Sequence, residues 1–221
     1  AVGHEISIEK ATSSDIVNIA LDTVKIGKQA LVFVSTRQSA EKAAEEIAHH
    51  LKLASPWLNS AAEEALDALP KPTKQCERLA RCIKGGTAFH HSGLVSKQRQ
   101  LIEQNFRNGT IKIICCTPTL AAGVDLPAFR AIIRDLKRFS ERGEYGYGGM
   151  GWIPVLEYLQ MCGRAGRPSF DNEGQAIILA GSDSEEEEVT SHYIHGEPEE
   201  IFSKLAVEPV LRTYLLSLVA S

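Results

Sequence analysis

Apolar positions along this chain follow two alternating rhythms, one recurring every three to four residues and one running unbroken for about five. Ile16, Ile19, Ala20 and Val24 form a single stripe behind Ser14 and Asp15, which offer a cap, and Gly27 offers a stop. That pattern predicts a helix. Ala30 to Val34 is a short continuous run rich in β-branched residues, as expected for a strand covered on both faces. Ala40, Ala43, Ala44, Ile47, Ala48 and Leu51 then mark one side of a second helix. The alternation resumes with a strand at Thr87 to His90, a helix from Ser96 to Arg107 stopped near Gly109, and strands at Ile111 to Cys116 and Ala131 to Asp135. A helix around Val155 to Cys162 and a strand from Gly174 to Ala180 complete it. Strand and helix in turn predict an α/β fold with a parallel sheet.

Two stretches break the rhythm. Leu53 to Gly86 reads as a helical insertion: Ser60-x-x-Glu63 has the form of a capping box, Pro70 and Pro72 end that helix, and Cys76, Leu79, Ala80 and Ile83 mark another before Gly85-Gly86. Phe139 to Trp152 is an excursion with five glycines and two tyrosines, after which Pro154 opens a helix. Beyond Ala180 the character changes. Ser182 or Ser184 can cap a helix whose first turn is Glu185 to Glu188, where negative charge suits the helix dipole. Segments near Glu197 and Glu208 read as short amphipathic helices leading toward another domain. The division expected is a core domain over residues 1–181 and an extension over 182–221.

A chain of 221 residues can bury one sizeable core, and 43% hydrophobic with 24% charged content is ordinary for a soluble globular protein. No apolar run approaches the roughly 20 residues of a membrane span, and no charged-then-apolar leader opens the chain, so it reads as intracellular. Its first residue is Ala1 and its last helix-like segment reaches Ser221, which suggests a piece of a longer polypeptide. Five cysteines without a C-x-x-C pair argue for buried reduced thiols and against a zinc site. The net charge of −4 weighs against nucleic acid as a partner, but sign is unevenly spread. Arg130, Arg134, Lys137, Arg138 and Arg142 face only Asp135 and Glu141 in their segment, whereas Glu185 to Glu188 form an acidic block.

The densest chemistry lies in Gln160-Met161-Cys162-Gly163-Arg164-Ala165-Gly166-Arg167. Three-residue spacing puts Arg164 and Arg167 on one side of a helical turn, where guanidinium forks can grip phosphate oxygens; glycines at 163 and 166 suggest close backbone approach. Thr117 to Pro127 follows a strand directly, at the carboxyl end where α/β folds place ligands. Its threonines can bond phosphate, and Asp125 is either an acceptor for a ribose hydroxyl or a turn former. Ser35-Thr36-Arg37 and His90-His91-Ser92-Gly93 occupy equivalent strand ends, so three polar clusters share one rim that can track a phosphate backbone. The histidine pairs at 49/50 and 90/91 lack the i, i+4 spacing and nearby carboxylates of a metal site.

Gly146 to Gly151 formally satisfies G-x-G-x-x-G, with Asp171 and Glu173 at a suitable distance for a ribose acid. It follows a charged, aromatic excursion instead of a strand, so a glycine-rich hairpin tip explains it better. No G-x-x-x-x-G-K-[ST] loop occurs, and no paired carboxylates are placed for magnesium. Arginines that face phosphate without a phosphate cradle fit the role of arginine fingers supplied from a second domain.

Taken in order, Leu31 to Arg37, Phe89 to Leu94, Thr117 to Pro127 and Gln160 to Arg167 resemble motifs IV, IVa, V and VI of superfamily 2 helicases. The chain looks most like the second RecA-like motor domain of the archaeal Hjm-type DNA helicases, relatives of the polymerase-theta helicase in the Ski-like branch. His192 to Gly196 resembles that family's exit toward a winged-helix domain. The resemblance implies a RecA-like parallel sheet flanked by helices, and an ATP-dependent 3′ to 5′ DNA helicase acting in fork repair. It implies ATP with Mg2+, held mainly by a first motor domain on the same polypeptide, so that the isolated fragment is inactive. It implies that Arg164, Arg167 and Gln160 are catalytic at the ATP phosphates, with Gly123 and Asp125 also on the nucleotide side. Ser35, Thr36, Arg37, His91, Ser92, Gly93, Thr117 and Thr119 would line the path of single-stranded DNA. The excursion from about Leu136 to Trp152 would be a strand-separating β-hairpin, with Arg138, Tyr145 and Trp152 on forked DNA. Partners would be DNA and the flanking domains, with no membrane, in a cytoplasmic, nucleoid-associated setting. The rivals are a Ski-like RNA helicase and a nucleic-acid-binding module that never meets an ATP-binding domain.

Overall fold

Each strand of the main sheet is four residues long, and four of the five are buried along their whole length, which is why their sequences run apolar without alternation. The computed structural model describes residues 7–140, 149–167, 171–196 and 198. In chain order the strands are β1 (Ala30–Phe33), β2 (Thr87–His90), β3 (Ile113–Cys116), β4 (Arg130–Ile133), β5 (Lys137–Ser140), β6 (Gly149–Trp152) and β7 (Gln175–Ile178). The helices are α1 (Asp15–Lys25), α2 (Arg37–Leu51), α3 (Pro56–Leu66), α4 (Lys74–Lys84), α5 (Ser96–Arg107), α6 (Thr119–Gly123), α7 (Val155–Cys162) and α8 (Asp183–Val189), followed by a π-helical turn, Thr190–Ile194.

The parallel sheet has the order β2-β3-β1-β4-β7. Register aligns the carboxyl ends: Phe33 pairs with Cys116 on one side and Ile133 on the other, and His90 pairs with Cys116. The loops leaving β1, β2 and β3 therefore emerge side by side on one edge. Beneath them Phe33, Phe89, Phe106, Leu31, Ile47 and Ile114 are fully buried in a single core that the flanking helices share. Cys76, Cys82, Cys115 and Cys116 are buried free thiols. Among the described residues no helix is long and apolar enough to cross a membrane.

Four expectations need correction. The insertion does form two helices, but α3 begins at Pro56 with Ser55 as its cap, the hydroxyl accepting from the Leu58 N–H at 3.2 Å. Ser60 is interior. Serine followed by proline at the first helical position is the stronger start signal, since proline loses no bond there. At α1, Ser14 stands at the cap position without a side-chain bond. The turn is fixed instead by Asn18, whose Oδ1 accepts from the Thr12 N–H at 2.8 Å. Among the described residues, the basic run from 130 to 138 is not one cationic surface. Arg130 is 2% exposed and gives its guanidinium to Asp22 at 2.6 Å, while Arg134 pairs with Asp135 at 2.7 Å. Finally, α7 ends at Cys162, so Arg164 and Arg167 lie beyond the helix and not on one turn of it. Gly163 ends the helix, and Gly166, at φ +94°, turns the chain between the two arginines.

The excursion contains an antiparallel pair, with Lys137 opposite Trp152 and Phe139 opposite Met150. Its central residues 141–148, including Arg142, Tyr145 and Tyr147, lie outside the described residues, as do the segments expected near Glu197 and Glu208. Ser182, not Ser184, caps α8 by accepting from the Glu185 N–H at 3.3 Å.

Candidate nucleotide and nucleic-acid interface

The loops at the sheet edge are held by side-chain bonds before any ligand is considered, and those after β1 and β2 are tied to each other. After β1, the amide and hydroxyl of Ser35 both donate to Asp135 Oδ2, at 2.8 and 3.0 Å. Burial pushes the Asp135 carboxyl up, but the fork of Arg134 and the two Ser35 donors outweigh it and hold the group below its ordinary value. Thr36 caps α2, accepting from the Ser39 N–H at 3.1 Å. Arg37 crosses to the next loop and donates from Nη2 to Ser92 Oγ at 2.7 Å. After β3, the hydroxyls of Thr117 and Thr119 bond each other at 2.9 Å. Ser35, Thr36, Arg37, Ser92, Thr117 and Thr119 line one open cavity of about 500 Å³, together with Arg138, Glu157 and Gln160.

His91 behaves differently from its neighbours. Its side chain is 1% exposed, so it does not line the cavity as the motif implied. Its Nδ1 accepts from the Gly93 N–H at 3.1 Å, which leaves the proton on Nε2, donating to Glu41 Oε1 at 3.1 Å. Glu41 also accepts from Gln75 Nε2 at 2.6 Å and from Arg78. His91 therefore shapes the loop that presents Ser92 and Gly93. His90, on the neighbouring side, faces Glu103 at 2.9 Å. Desolvation lowers the pKa of both rings against the pull of their carboxylates. The expectation that these histidines lack carboxylates is thus overturned: Glu41 and Glu103 come from other elements, out of reach of any local spacing rule. Among the described residues no three His, Cys, Asp or Glu side chains are grouped to hold a metal ion.

A second cavity, of about 380 Å³, shares Ser92 and Thr119 with the first and adds Ser96, Arg99, Gln100 and Gly123. Arg99 and Gln100 escaped the sequence analysis because they sit on an ordinary amphipathic helix.

The two arginines beyond α7 point to different partners. Arg164 donates from Nε to the Ala121 carbonyl at 3.0 Å, again from Nη2 to the same oxygen, and from Nη1 to Asp125 Oδ1 at 3.1 Å. The Asp125 side chain is 94% exposed, so this carboxylate can be exchanged for another anion. Arg167 donates from Nε to Asp171 Oδ2 at 2.8 Å and from Nη1 to Gln29 Oε1 at 2.8 Å. Asp171 is 1% exposed and also accepts from Lys28 Nζ at 2.6 Å. Arg167, with Lys28 behind it, holds the Asp171 carboxyl down at about 2. Gln160, exposed on the last turn of α7, faces the threonine cavity and not Arg167. On the hairpin, Arg138 pairs with Glu157 at 2.9 Å. The Trp152 ring stacks on His192 and has the Lys137 ammonium 4.1 Å from its centroid, so it is engaged within the chain. Phe139 and Met150 are the exposed apolar pair there, 66% and 68%.

Residues 71–169 match the helicase conserved C-terminal domain. Over 221 residues the chain is 43% identical to the ATP-dependent DNA helicase Hel308 of Methanocella arvoryzae, covering 97% of this chain and 29% of that protein. It is 47% identical over 205 residues to Hel308 of Pyrococcus abyssi, covering 92% and 27%, and 39% identical over 218 residues to that of Methanococcus vannielii, covering 97% and 28%. Residues 71–169 are a helicase C-terminal domain, in a chain similar to Hel308 over nearly its whole length. The chain spans under a third of the length of the curated relatives it matches. In this helicase domain the strand-end cavity and the arginine segment are joined by α7, eight residues long, which carries Gln160 at one and leads into Arg164 at the other. The matched region also leaves out Ser35 to Arg37, Lys28 and Asp171, which the fold brings to the same edge or to Arg167.

Proposed function

We propose that this helicase C-terminal domain is the second of two motor units in an ATP-dependent 3′ to 5′ DNA helicase that translocates on single-stranded DNA and unwinds forked duplexes during replication-fork repair. The reading rests above all on the convergence of the loops after β1, β2 and β3 on one cavity that α7 links directly to Arg164. Hydroxyls of Ser35, Thr36, Ser92, Thr117 and Thr119, and Arg37 with Arg138, suit a sugar-phosphate strand better than a base, so grip is independent of sequence and weakens with salt. ATP and its Mg2+ bind mainly to the first motor domain of the same polypeptide and supply the free energy. On closure Arg164 exchanges Asp125 for a phosphate oxygen, Arg167 completes the arginine segment's side of the cleft, and Gly123 and Asp125 approach the nucleoside. Guanidinium groups placed this way stabilise transition-state charge and raise rates about 10³- to 10⁵-fold. The β5–β6 hairpin separates the strands. Residues 1–181 form the motor unit and 182–221 lead to a winged-helix domain, in a cytoplasmic, nucleoid-associated enzyme.

In the full-length helicase, Arg164→Ala is expected to reduce DNA-stimulated ATP hydrolysis by at least about 10³-fold while leaving single-strand affinity nearly unchanged. Unaltered turnover would remove the assigned role. Unwinding of DNA and RNA duplexes of equal length, measured side by side, decides the substrate, and a preference for RNA would replace the DNA assignment with the Ski-like RNA helicase.

A further inference from the structure

Tyr193 sits on the π-helical turn after α8 and is 3% exposed. The turn is closed by the His195 N–H on the Thr190 carbonyl at 3.1 Å, a wider loop than an α-helix makes. From it the Tyr193 hydroxyl donates to the Ile153 carbonyl at 2.9 Å and lies 3.3 Å from the Leu136 carbonyl. Those two residues are the feet of the hairpin: Leu136 immediately precedes β5 and Ile153 immediately follows β6. The feet also bond each other, Ile153 N–H to Leu136 carbonyl at 2.9 Å. The Tyr193 ring meets Tyr158 on α7 at 4.6 Å between centroids and the edge of Trp152 at 5.8 Å.

One side chain thus joins the base of the hairpin, the helix that leads to Arg164, and the segment that follows the sheet. Packing alone does not call for the hydroxyl, because phenylalanine fills nearly the same volume. A buried O–H has to be matched, and here its match is the pair of carbonyls that set the angle at which the hairpin leaves the domain. A two-stranded ribbon is marginally stable by itself and transmits no force unless its base is fixed.

We propose that Tyr193 is a positioning residue for strand separation: its hydroxyl holds both feet of the β5–β6 hairpin while its ring packs on α7, so that movement of the motor unit reaches the hairpin as a rigid rotation. This rests on the reading of the hairpin as the separating element. The test uses the full-length helicase with Tyr193→Phe, a deletion of residues 141–151, and the two combined. Tyr193→Phe is expected to keep single-strand affinity and DNA-stimulated ATP hydrolysis within about twofold, while lowering the number of forked duplexes opened per ATP at least about fivefold. It is expected to add no further loss to the deletion. Duplexes opened per ATP is a coupling ratio that mere loss of folded protein does not move, because inactive molecules leave both numerator and denominator. An unchanged ratio in Tyr193→Phe beside a crippled deletion variant would overturn the tyrosine assignment alone. Full unwinding by the deletion variant would overturn the hairpin reading and this inference with it.

Discussion

Arg164 and Arg167 stand three residues apart and are held by carboxylates of opposite kind. Asp125 is in solvent, where an ion pair contributes under about 1 kcal/mol. The Asp171 side chain is buried between Arg167 and Lys28, and removing Arg167 takes two charge-assisted bonds from a carboxylate left with Lys28 as its cation, at a cost on the order of 3 kcal/mol. In urea unfolding of this chain, Arg167→Ala is therefore expected to lose on the order of 3 kcal/mol and Arg164→Ala under about 1 kcal/mol; equal losses would show that the buried network carries no special weight. The same contrast has a pH signature. The folded-state pKa of Asp171 is depressed to about 2, so its contribution is present above the ordinary carboxylate pKa and is lost as pH falls from about 4 toward 2. Asp171→Asn should flatten the stability profile across that window, which acid unfolding followed by circular dichroism can read. Sequence spacing could find both arginines as cations but not their difference, because Lys28 and Asp171 are 143 residues apart in the chain.

Capping chemistry acts at the next scale, within single elements. Ser55 accepts from the Leu58 N–H and precedes Pro56, so Ser55→Ala should cost about 1 kcal/mol, whereas Ser60→Ala inside α3 should be nearly neutral, alanine being the better helix former. Thermal melts of the two variants check this, and a larger loss at Ser60 would reinstate it as the cap. Elements with an unambiguous period were legible in the sequence: β2, α5 and α7 occupy Thr87–His90, Ser96–Arg107 and Val155–Cys162 as the apolar pattern predicts. Buried parallel strands leave continuous runs and amphipathic helices leave stripes, so burial writes those elements directly. The start of α3 was misread because two competing serine signals lie five residues apart, and only proline at the first helical position ranks them. Networks between elements leave no such trace. Glu41 reads as one polar position on α2, yet it receives His91, Gln75 and Arg78 from two other segments and so sets the loop that carries Ser92 and Gly93.

For the molecule as a whole, the sign and number of charges around the strand-end cavities decide how it should bind nucleic acid and what it should fail to do alone. Net charge is −4, and the arginines near the two cavities are Arg37, Arg99 and Arg138, the last paired with Glu157. Each phosphate neutralised on a single strand contributes about −0.7 to the slope of log K against log salt. With so few cations and much of the contact made by hydroxyls and amides, the slope for an unlabelled-sequence oligonucleotide should lie near −1 to −2, against steeper values for proteins that bind through many phosphates. Fluorescence anisotropy over a potassium chloride series measures it, and a salt-independent affinity would mean that the strand does not lie on this rim. Arg164 is positioned to neutralise a phosphate, but the chain carries no G-x-x-x-x-G-K-[ST] loop to cradle one. Charge stabilisation without a cradle accelerates a reaction only once another domain has fixed the nucleotide in place. This chain alone should therefore bind single strands weakly and hydrolyse ATP no faster than buffer. Adding the upstream motor domain should restore hydrolysis, and robust turnover by the pure chain would require a nucleotide site that neither cavity nor the arginine segment provides.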